Sequence, residues 1–132
     1  MNETAAAPLR VFLIEDSAIL RAMLRDMLGE LEGVEVVGDA DDESGALAGL
    51  ERQCADLAIV DLELRAGSGL GVLSRLSAEP ERYGRTRAVV LTNHGHRAIR
   101  ARCAALGVER FFDKSFQMDE LVDFIEGAVR AR

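Results

Sequence analysis

The sequence lacks any long apolar run, because no stretch approaches the roughly 20 residues that a membrane-spanning helix needs. Its start, residues 1–8, also lacks the basic residues and apolar stretch of a signal peptide. We interpret residues 1–8 as a short disordered or frayed lead and residues 9–132 as one domain, since a domain has about 150 residues. These observations predict a cytoplasmic protein.

Cysteine is scarce, and neither Cys54 nor Cys103 belongs to a metal-binding or redox motif. Both fit apolar helix positions, so we expect two reduced thiols in a cytosolic core. A positive net charge is absent too, because 23 acidic residues against 16 basic residues give −7. Such a chain does not neutralise phosphates and is repelled by anionic lipids. We therefore expect no nucleic acid and no membrane as partner.

Short apolar runs rich in valine and isoleucine recur along the chain, which is typical of strands buried on both faces of a parallel sheet. There are five, at residues 11–14, 34–37, 57–60, 88–91 and, most weakly, 108–112. Segments with helical spacing of apolar residues alternate with these runs. Strand–helix alternation predicts a doubly wound α/β sheet with helices on both faces.

The five helical segments are defined by their apolar residues. These are Leu20, Met23, Leu24, Met27, Leu28 and Leu31; Leu47, Leu50 and Cys54; Leu70, Leu73 and Leu76; Ile99, Cys103 and Leu106; and Leu121, Phe124, Ile125, Ala128 and Val129. Gly45 and Gly49 weaken the second pattern, and Gly107 is expected to end the fourth helix as a C-terminal cap.

Polar residues mark the carboxyl ends of the five predicted strands, where reactive groups of such sheets gather. They are Glu15 with Asp16, then Asp39, Asp61, Thr92 and Lys114. Carboxylates about 4 Å apart repel by roughly 4 kcal/mol at an effective dielectric constant of about 20, so neighbouring acids there need a cation. Mg²⁺ suits ligands that are all oxygen. The pattern predicts a site where a carboxylate accepts a phosphoryl group.

Each of these features has an ordinary structural explanation when it stands alone. An acidic pair before a helix is usually a capping feature, and a single Asp after a strand is often a turn residue. The joint pattern is more specific, because it needs the correct residue types, in order, at the ends of all five predicted strands.

At this point the chain resembles the CheY-like receiver domain of two-component response regulators, from about residue 9 to residue 129. The matching segments are residues 11–17, 59–64, 69–73, 89–92 and 111–114. The resemblance implies a flavodoxin-like fold with five helices and strand order 2-1-3-4-5. It implies that Asp61 accepts a phosphoryl group and that Mg²⁺ is held by Glu15, Asp16, Asp61 and the backbone carbonyl of Glu63.

The resemblance also implies the remaining roles at the site. Lys114 pairs with the phosphoryl group, Thr92 is the switch hydroxyl, Phe111 is the switch aromatic, and Glu63 and His94 tune dephosphorylation. The donor would be a sensor histidine kinase or a histidine phosphotransfer protein. The face made by helix four, strand five and helix five would then control a downstream protein partner. Such a protein is not a conventional enzyme, since it catalyses only its own phosphorylation and dephosphorylation.

Three positions depart from the family pattern. Arg65 stands where many receivers have proline, and Glu15 stands where aspartate is commoner. Ser115 follows Lys114 where most receivers have a cis proline. A cis bond before a residue other than proline costs about 3–4 kcal/mol, so the Lys114–Ser115 bond is either trans with a changed loop or cis and strained.

Other functions stay open at this stage. Residues 67–71, Gly-Ser-Gly-Leu-Gly, invite a nucleotide-binding interpretation but do not match G-x-G-x-x-G. A Mg²⁺-dependent phosphatase would need a second acid, for which Glu63 is the candidate. A degenerate receiver would only bind, although the complete site argues against that. The chain could also be a piece of a longer regulator with a DNA-binding domain.

Two further features have alternative interpretations. His94 and His96 could suggest a metal pair, but a glycine between them gives no rigid ligand geometry. The predicted helices four and five carry opposite charges that could support a symmetric homodimer. The residues are Arg97, Arg100 and Arg102 against Asp119, Glu120, Asp123 and Glu126. We favour two solvated helix faces, because exposed ion pairs contribute little.

Overall fold

The computed structural model describes residues 7–93 and 95–132, in which strands and helices alternate along the chain. The strands are β1 Leu9–Ile14, β2 Val34–Ala40, β3 Leu57–Val60, β4 Arg87–Thr92 and β5 Arg110–Asp113. The helices are α1 Ala18–Gly29, α2 Glu43–Gln53, α3 Gly69–Ala78, α4 Arg97–Ala105 and α5 Met118–Arg130. The predicted alternation of elements is confirmed, although the fifth strand begins at Arg110 rather than at residue 108.

The five strands form one parallel sheet in the order β2-β1-β3-β4-β5. Ile14 pairs with Val60, and Val60 pairs with Val90, so the carboxyl ends of the three central strands lie side by side. The predicted doubly wound fold and strand order are therefore confirmed. One register shift interrupts the pairing of β1 with β2, between Val11 and Phe12.

Two hydrophobic cores lie on opposite faces of this sheet, because successive strand side chains point to opposite faces. Phe12 and Ile14 of β1 belong to one core, which α2, α3 and α4 cover. Val11 and Leu13 belong to the other, which α1 and α5 cover. We name these the α2/α3/α4 core and the α1/α5 core. Both faces of the sheet are buried, as the continuous apolar runs predicted.

Side chains in the loops that follow the first three strands cap the helices that come next. Ser17 Oγ accepts from Leu20 N at 3.2 Å, Asp42 Oδ1 accepts from Gly45 N at 2.8 Å, and Ser68 Oγ accepts from Gly71 N at 3.1 Å. Such caps satisfy amide donors that have no partner within the helix. α1, α2 and α3 therefore begin at fixed points beside the carboxyl ends of the strands.

Gly49, one of the two glycines that weakened the second helical pattern, has a packing role. A Cβ atom on Gly49 of α2 would lie 2.5 Å from the Phe12 ring, and one on Gly38 of β2 would lie 2.8 Å from the same ring. Only hydrogen fits at these positions, so the ring of Phe12 packs directly against two backbones. The low helix propensity of Gly49 is the cost of that close packing.

The expectation that both cysteine thiols are buried is wrong for Cys54. α2 ends at Gln53, and Cys54 is its C-cap in the left-handed conformation with φ of 49°, so its side chain is exposed. Cys103 is buried in the α2/α3/α4 core as expected. Gly107 follows the end of α4 with φ of +88°, which is the conformation expected of a glycine at a helix end.

Arg132 lies at the end of the sheet where the strands begin. Asp56, just before β3, accepts from Arg10 N at 2.8 Å and from Arg132 Nη1 at 2.9 Å. These contacts are therefore at the opposite end of the sheet from Glu15, Asp16 and Asp61, which follow the strands. Among residues 7–93 and 95–132, no helix has the length and apolar character that crossing a membrane requires.

Candidate functional site

The carboxyl ends of β1 and β3 place three acidic residues side by side. Glu15 and Asp16 follow β1 directly, and Asp61 follows β3. Backbone pairing continues past the strand ends, because Asp61 N donates to Ile14 O at 2.9 Å and Glu15 N donates to Ala40 O at 3.0 Å. The sheet itself therefore fixes the backbone of the two buried acids.

Glu15, Asp16 and Asp61 form a cluster in which one carboxylate oxygen from each lies within 4.8 Å of the others. Glu15 and Asp61 are buried, whereas Asp16 is exposed. Two ligands of one Mg²⁺ lie at most about 4.2 Å apart, because each bond is about 2.1 Å. Small side-chain adjustments would bring the oxygens into that range, so the residues present fit Mg²⁺ in both chemistry and spacing.

Lys114 brings one positive charge into this cluster. Its Nζ lies 2.7 Å from Asp61 Oδ2 and 2.8 Å from Glu15 Oε1. Its backbone is held at the end of β4, since Lys114 N donates to Thr92 O at 3.1 Å. Burial works against the charged form, but the hydrogen bonds to Asp61 and Glu15 outweigh burial and raise the pKa of the ammonium. Lys114 is therefore a permanent cation at the site.

The surroundings of Glu15 disfavour the ionised form of its carboxyl group. Burial raises the pKa of the Glu15 carboxyl above its ordinary value, and the nearby Asp61 charge and the contact with Asp16 act in the same direction. The hydrogen bonds from Lys114 and from Ser17 N, the latter at 2.9 Å, act in the opposite direction without cancelling the rise. An additional cation near Glu15 would stabilise its ionised form.

The two predicted switch residues lie on β4, which pairs with β3, and on β5, which pairs with β4. Thr92 ends β4 and is fully buried, one residue beyond the level of Asp61 in the strand register. Phe111 on β5 pairs with Val90 and is half-buried. The guanidinium of Arg100 on α4 lies 4.4 Å from the centre of the Phe111 ring, a cation–π distance. Sequence reasoning gave no signal for this contact.

Of the two predicted tuning residues, Glu63 is among those that the structure describes. Glu63 is exposed beside the cluster, and its backbone N lies 3.4 Å from Asp61 Oδ1. His94 lies outside the described residues, so its tuning role stays a prediction. The Lys114–Ser115 bond, which the sequence left open, is trans.

Asp39 marks a strand end in sequence but does not join the acidic cluster. β2 continues past it to Ala40, and Asp39 Oδ2 accepts from Arg25 Nε at 2.8 Å. The side chain therefore lies towards α1, paired with a cation of its own. Of the acids that the sequence placed at strand ends, those that follow β1 and β3 meet.

The glycines of residues 67–71 have structural roles at the start of α3. Gly67 has a φ of +73°, and a Cβ on Gly69 would lie 2.1 Å from the backbone oxygen of Asp61. The helix begins so close to the carboxyl end of β3 that no side chain fits. This geometry accounts for the glycines without a bound nucleotide.

The family model of the response regulator receiver domain matches residues 11–126, which is most of the chain. The chain belongs to this family. The resemblance that the sequence motifs carried is thereby confirmed, and so is the place of the receiver in two-component signalling.

Two curated relatives share about a third of their residues with this receiver. The transcriptional regulatory protein PdtaR of Mycobacterium tuberculosis is 34% identical over 125 residues, covering 95% of the chain and 58% of PdtaR. A protein-glutamate methylesterase/protein-glutamine glutaminase of Anaeromyxobacter dehalogenans is 32% identical over 137 residues, covering 97% of the chain and 37% of the relative. The chain spans little more than half of PdtaR and little more than a third of the methylesterase relative. The matched part of this chain is its receiver domain.

Solved structures share the fold of the receiver. The response regulator domain of Thermotoga maritima CheB has a TM-score of 0.82 at 22% identity, covering 93% of this chain and 97% of that chain. The receiver domain of NarL from Mycobacterium tuberculosis has a TM-score of 0.83 at 24% identity, covering 96% and 100%. At these identities the likeness concerns the fold, which is the flavodoxin-like arrangement that the resemblance implied.

Proposed function

We propose that this receiver accepts a phosphoryl group on Asp61 from a sensor histidine kinase or a histidine phosphotransfer protein, in a reaction that depends on Mg²⁺. The receiver would work in the cytoplasm, where such donors present their phosphohistidine. Its chemistry is limited to its own phosphorylation and dephosphorylation. The modified domain then acts on a downstream protein.

One observation carries this proposal. The buried carboxylate of Asp61 follows β3 with an ammonium 2.7 Å away, and two further carboxylates offer oxygens within 4.8 Å. A buried carboxylate beside a cation is held in position as a nucleophile. The cation also stabilises the negative charge that the phosphoryl group adds. Phosphoryl transfer requires little beyond such positioning and charge neutralisation.

In the transfer step, a carboxylate oxygen of Asp61 forms a P–O bond as the P–N bond of the donor breaks. The electron pair of that bond stays on the imidazole nitrogen of the donor. Mg²⁺ held by Glu15, Asp16, Asp61 and the carbonyl of Glu63 would neutralise charge on the phosphoryl oxygens. Lys114 holds one phosphoryl oxygen by a charge-assisted hydrogen bond.

The output follows from the charge that the phosphoryl group adds. Thr92 and Lys114 move towards the new oxygens, and Phe111 turns into the space that Thr92 leaves. This movement changes the face made by α4, β5 and α5, which binds the downstream protein. The opposite charges of α4 and α5 also leave a homodimer across this face as a second form of output.

Dephosphorylation has its own residues. Glu63 and His94 flank the site in the proposed function and set the lifetime of the phosphorylated state by positioning or blocking water. The exposed position of Glu63 beside Asp61 supports this role for Glu63.

Labelling by the small phosphodonor acetyl phosphate tests the assignment of Asp61. We expect the wild-type chain to be labelled in the presence of Mg²⁺, and Asp61→Asn to show no labelling, because the amide is not a nucleophile for phosphorus. Asp39→Asn is the matched control, since it removes an acid that pairs with Arg25 instead. Phosphorylation is measured by intact-protein mass spectrometry. Labelling that survives in Asp61→Asn would refute the assignment.

A further inference from the structure

The loop that connects β3 to α3 carries both the acceptor carboxylate and the carbonyl assigned to Mg²⁺. We call residues 61–68 the acceptor loop and residues 41–43 the β2–α2 turn. Two backbone hydrogen bonds join them. Arg65 N donates to Asp41 O at 3.0 Å, and Glu43 N donates to Ala66 O at 3.0 Å. The two segments are therefore paired, although neither is part of a strand.

Side chains strengthen this pairing from the direction of the acceptor loop. The guanidinium of Arg65 donates to both oxygens of Asp41, at 2.9 and 3.2 Å, and to Asp42 Oδ2 at 2.6 Å. A two-point contact of this kind fixes direction as well as distance. The hydrogen bond from Arg65 holds the pKa of the Asp41 carboxyl below its ordinary value, so the pair is ionised at neutral pH.

Glu43 strengthens the pairing from the β2–α2 turn. Its Oε1 accepts from Ser68 N at 2.9 Å, at the end of the acceptor loop. Its side chain also lies against two glycines, because a Cβ on Gly67 or on Gly71 would come within 2.6 Å of a Glu43 atom. The carboxylate of Glu43 therefore fills the space at the start of α3 and holds the loop there.

Isolated surface ion pairs contribute little to stability, and Arg65 is largely exposed. This set of contacts differs because it joins two loops about 24 residues apart, and one of them carries ligands proposed for Mg²⁺. Inside the loop, Glu63 forms a bridge with Ser68, and Gly69 N donates to Leu62 O at 2.9 Å. Arg65 and Ser68 are therefore both connected to Glu63, Arg65 by two residues of backbone and Ser68 by the bridge, so a displacement of either residue is expected to move Glu63.

We propose that Arg65 and Glu43 are positioning residues that hold the Glu63 carbonyl in place and thereby set the Mg²⁺ affinity of the site. The inference rests on the proposed function, since it concerns the ion that the acceptor site would use. It adds to that function a specific support, provided by Asp41, Asp42 and Glu43, which lie outside the acidic cluster.

A Mg²⁺ titration followed by the NMR shifts of the acceptor-loop amides tests this inference. We expect Arg65→Ala to weaken Mg²⁺ binding about tenfold, the low end for residues that orient a metal ligand. Arg65→Lys should recover only part of the loss, because a point charge lacks the two-point contact. Arg82→Ala is the matched control, since Arg82 also contacts two carboxylates, those of Glu51 and Glu79. It should change the Mg²⁺ affinity less than twofold.

A charge swap gives a second and independent measurement. Arg65→Asp combined with Asp41→Arg restores the ion pair in reverse, so it should bind Mg²⁺ more tightly than Arg65→Asp alone. Amide hydrogen exchange at Ser68 should be faster in Arg65→Ala than in the wild type, while amides of the central strands keep their protection.

The outcomes separate this inference from the proposed function. A wild-type chain without Mg²⁺ affinity would overturn the proposed function. Mg²⁺ binding by the wild type with equal affinity in Arg65→Ala would overturn only the positioning role. Equal weakening in Arg65→Ala and Arg82→Ala would overturn it too, because the loss would then not be specific to the contacts of the acceptor loop.

Discussion

At the scale of single residues, the acidic cluster is a compromise between folding and binding. Glu15, Asp16 and Asp61 carry three negative charges against the single positive charge of Lys114, which leaves −2 when all are ionised. Burial of like charges disfavours the folded state unless cations compensate them. The same arrangement brings together carboxylate oxygens that could hold a divalent ion.

Replacing Glu15 by Gln tests this compromise through the pH dependence of stability. The folded-state pKa of Glu15 is raised, mainly by burial, so its carboxyl is held more tightly protonated in the folded than in the unfolded chain. The wild type therefore loses stability as the pH rises from the unfolded pKa through the folded one. We expect Glu15→Gln to have the higher melting temperature at pH 7 in buffer without Mg²⁺, and the difference to shrink towards pH 4.

The control for this variant is Glu35→Gln, which removes an exposed acid from β2. It should change the melting temperature little at either pH. Added Mg²⁺ should raise the melting temperature of the wild type more than that of Glu15→Gln. A melting temperature of Glu15→Gln that stays below that of the wild type at pH 7 would contradict the raised pKa.

At the scale of elements, the start of α3 is fixed by its distance from the carboxyl end of β3. Gly69 begins the helix where its backbone lies against the backbone of Asp61 and Leu62. The contact leaves no space for even a methyl group. The helix can therefore begin here only with glycine, which ties the position of α3 to that of Asp61.

Gly69→Ala should destabilise the receiver, because the new Cβ would lie 2.1 Å from the backbone oxygen of Asp61 and backbone must shift to make room. We expect a loss of about 1–3 kcal/mol in the free energy of unfolding, measured with urea. The matched control is Gly29→Ala at the end of α1, where nothing lies within 4 Å of the added atom. That change should be neutral or stabilise by up to about 1 kcal/mol. Equal effects of the two substitutions would show that the close approach at Gly69 is relieved without cost.

Local patterns predicted the elements well, because apolar periodicity and turn residues are properties of short segments. They also predicted the cluster, since parallel strands bring their carboxyl ends to one edge. They failed for Cys54, because α2 ends one residue before the last residue of its apolar pattern. They also failed for Asp39, because β2 continues one residue past it to Ala40. The contacts of Arg65 with Asp41 and Asp42 join distant loops, and no local pattern records such a pairing.

At the scale of the whole molecule, one sheet supports two separate cores. Each core is made by alternate residues of the same strands, so neither can form without the sheet. The α2/α3/α4 core contains Tyr83, which is the single tyrosine in a chain without tryptophan. Tyrosine fluorescence therefore reports on one face of the sheet alone.

This arrangement predicts that the two faces unfold together. Tyrosine fluorescence follows the α2/α3/α4 core, whereas far-ultraviolet circular dichroism follows the helices on both faces. We expect the two signals to give the same midpoint in urea, because loss of the shared sheet removes both cores at once. Separate midpoints would mean that one layer of helices can leave the sheet while the other stays.

The contact between Arg132 and Asp56 has a practical consequence for measuring binding. Asp56 lies at the opposite end of β3 from Asp61, about 16 Å away at 3.3 Å per residue. A biotin or fluorophore attached at Arg132 would therefore lie far from Asp61 and the acidic cluster. Immobilisation through this residue on a biosensor surface would leave the end of the sheet that carries Asp61 accessible to a protein from solution.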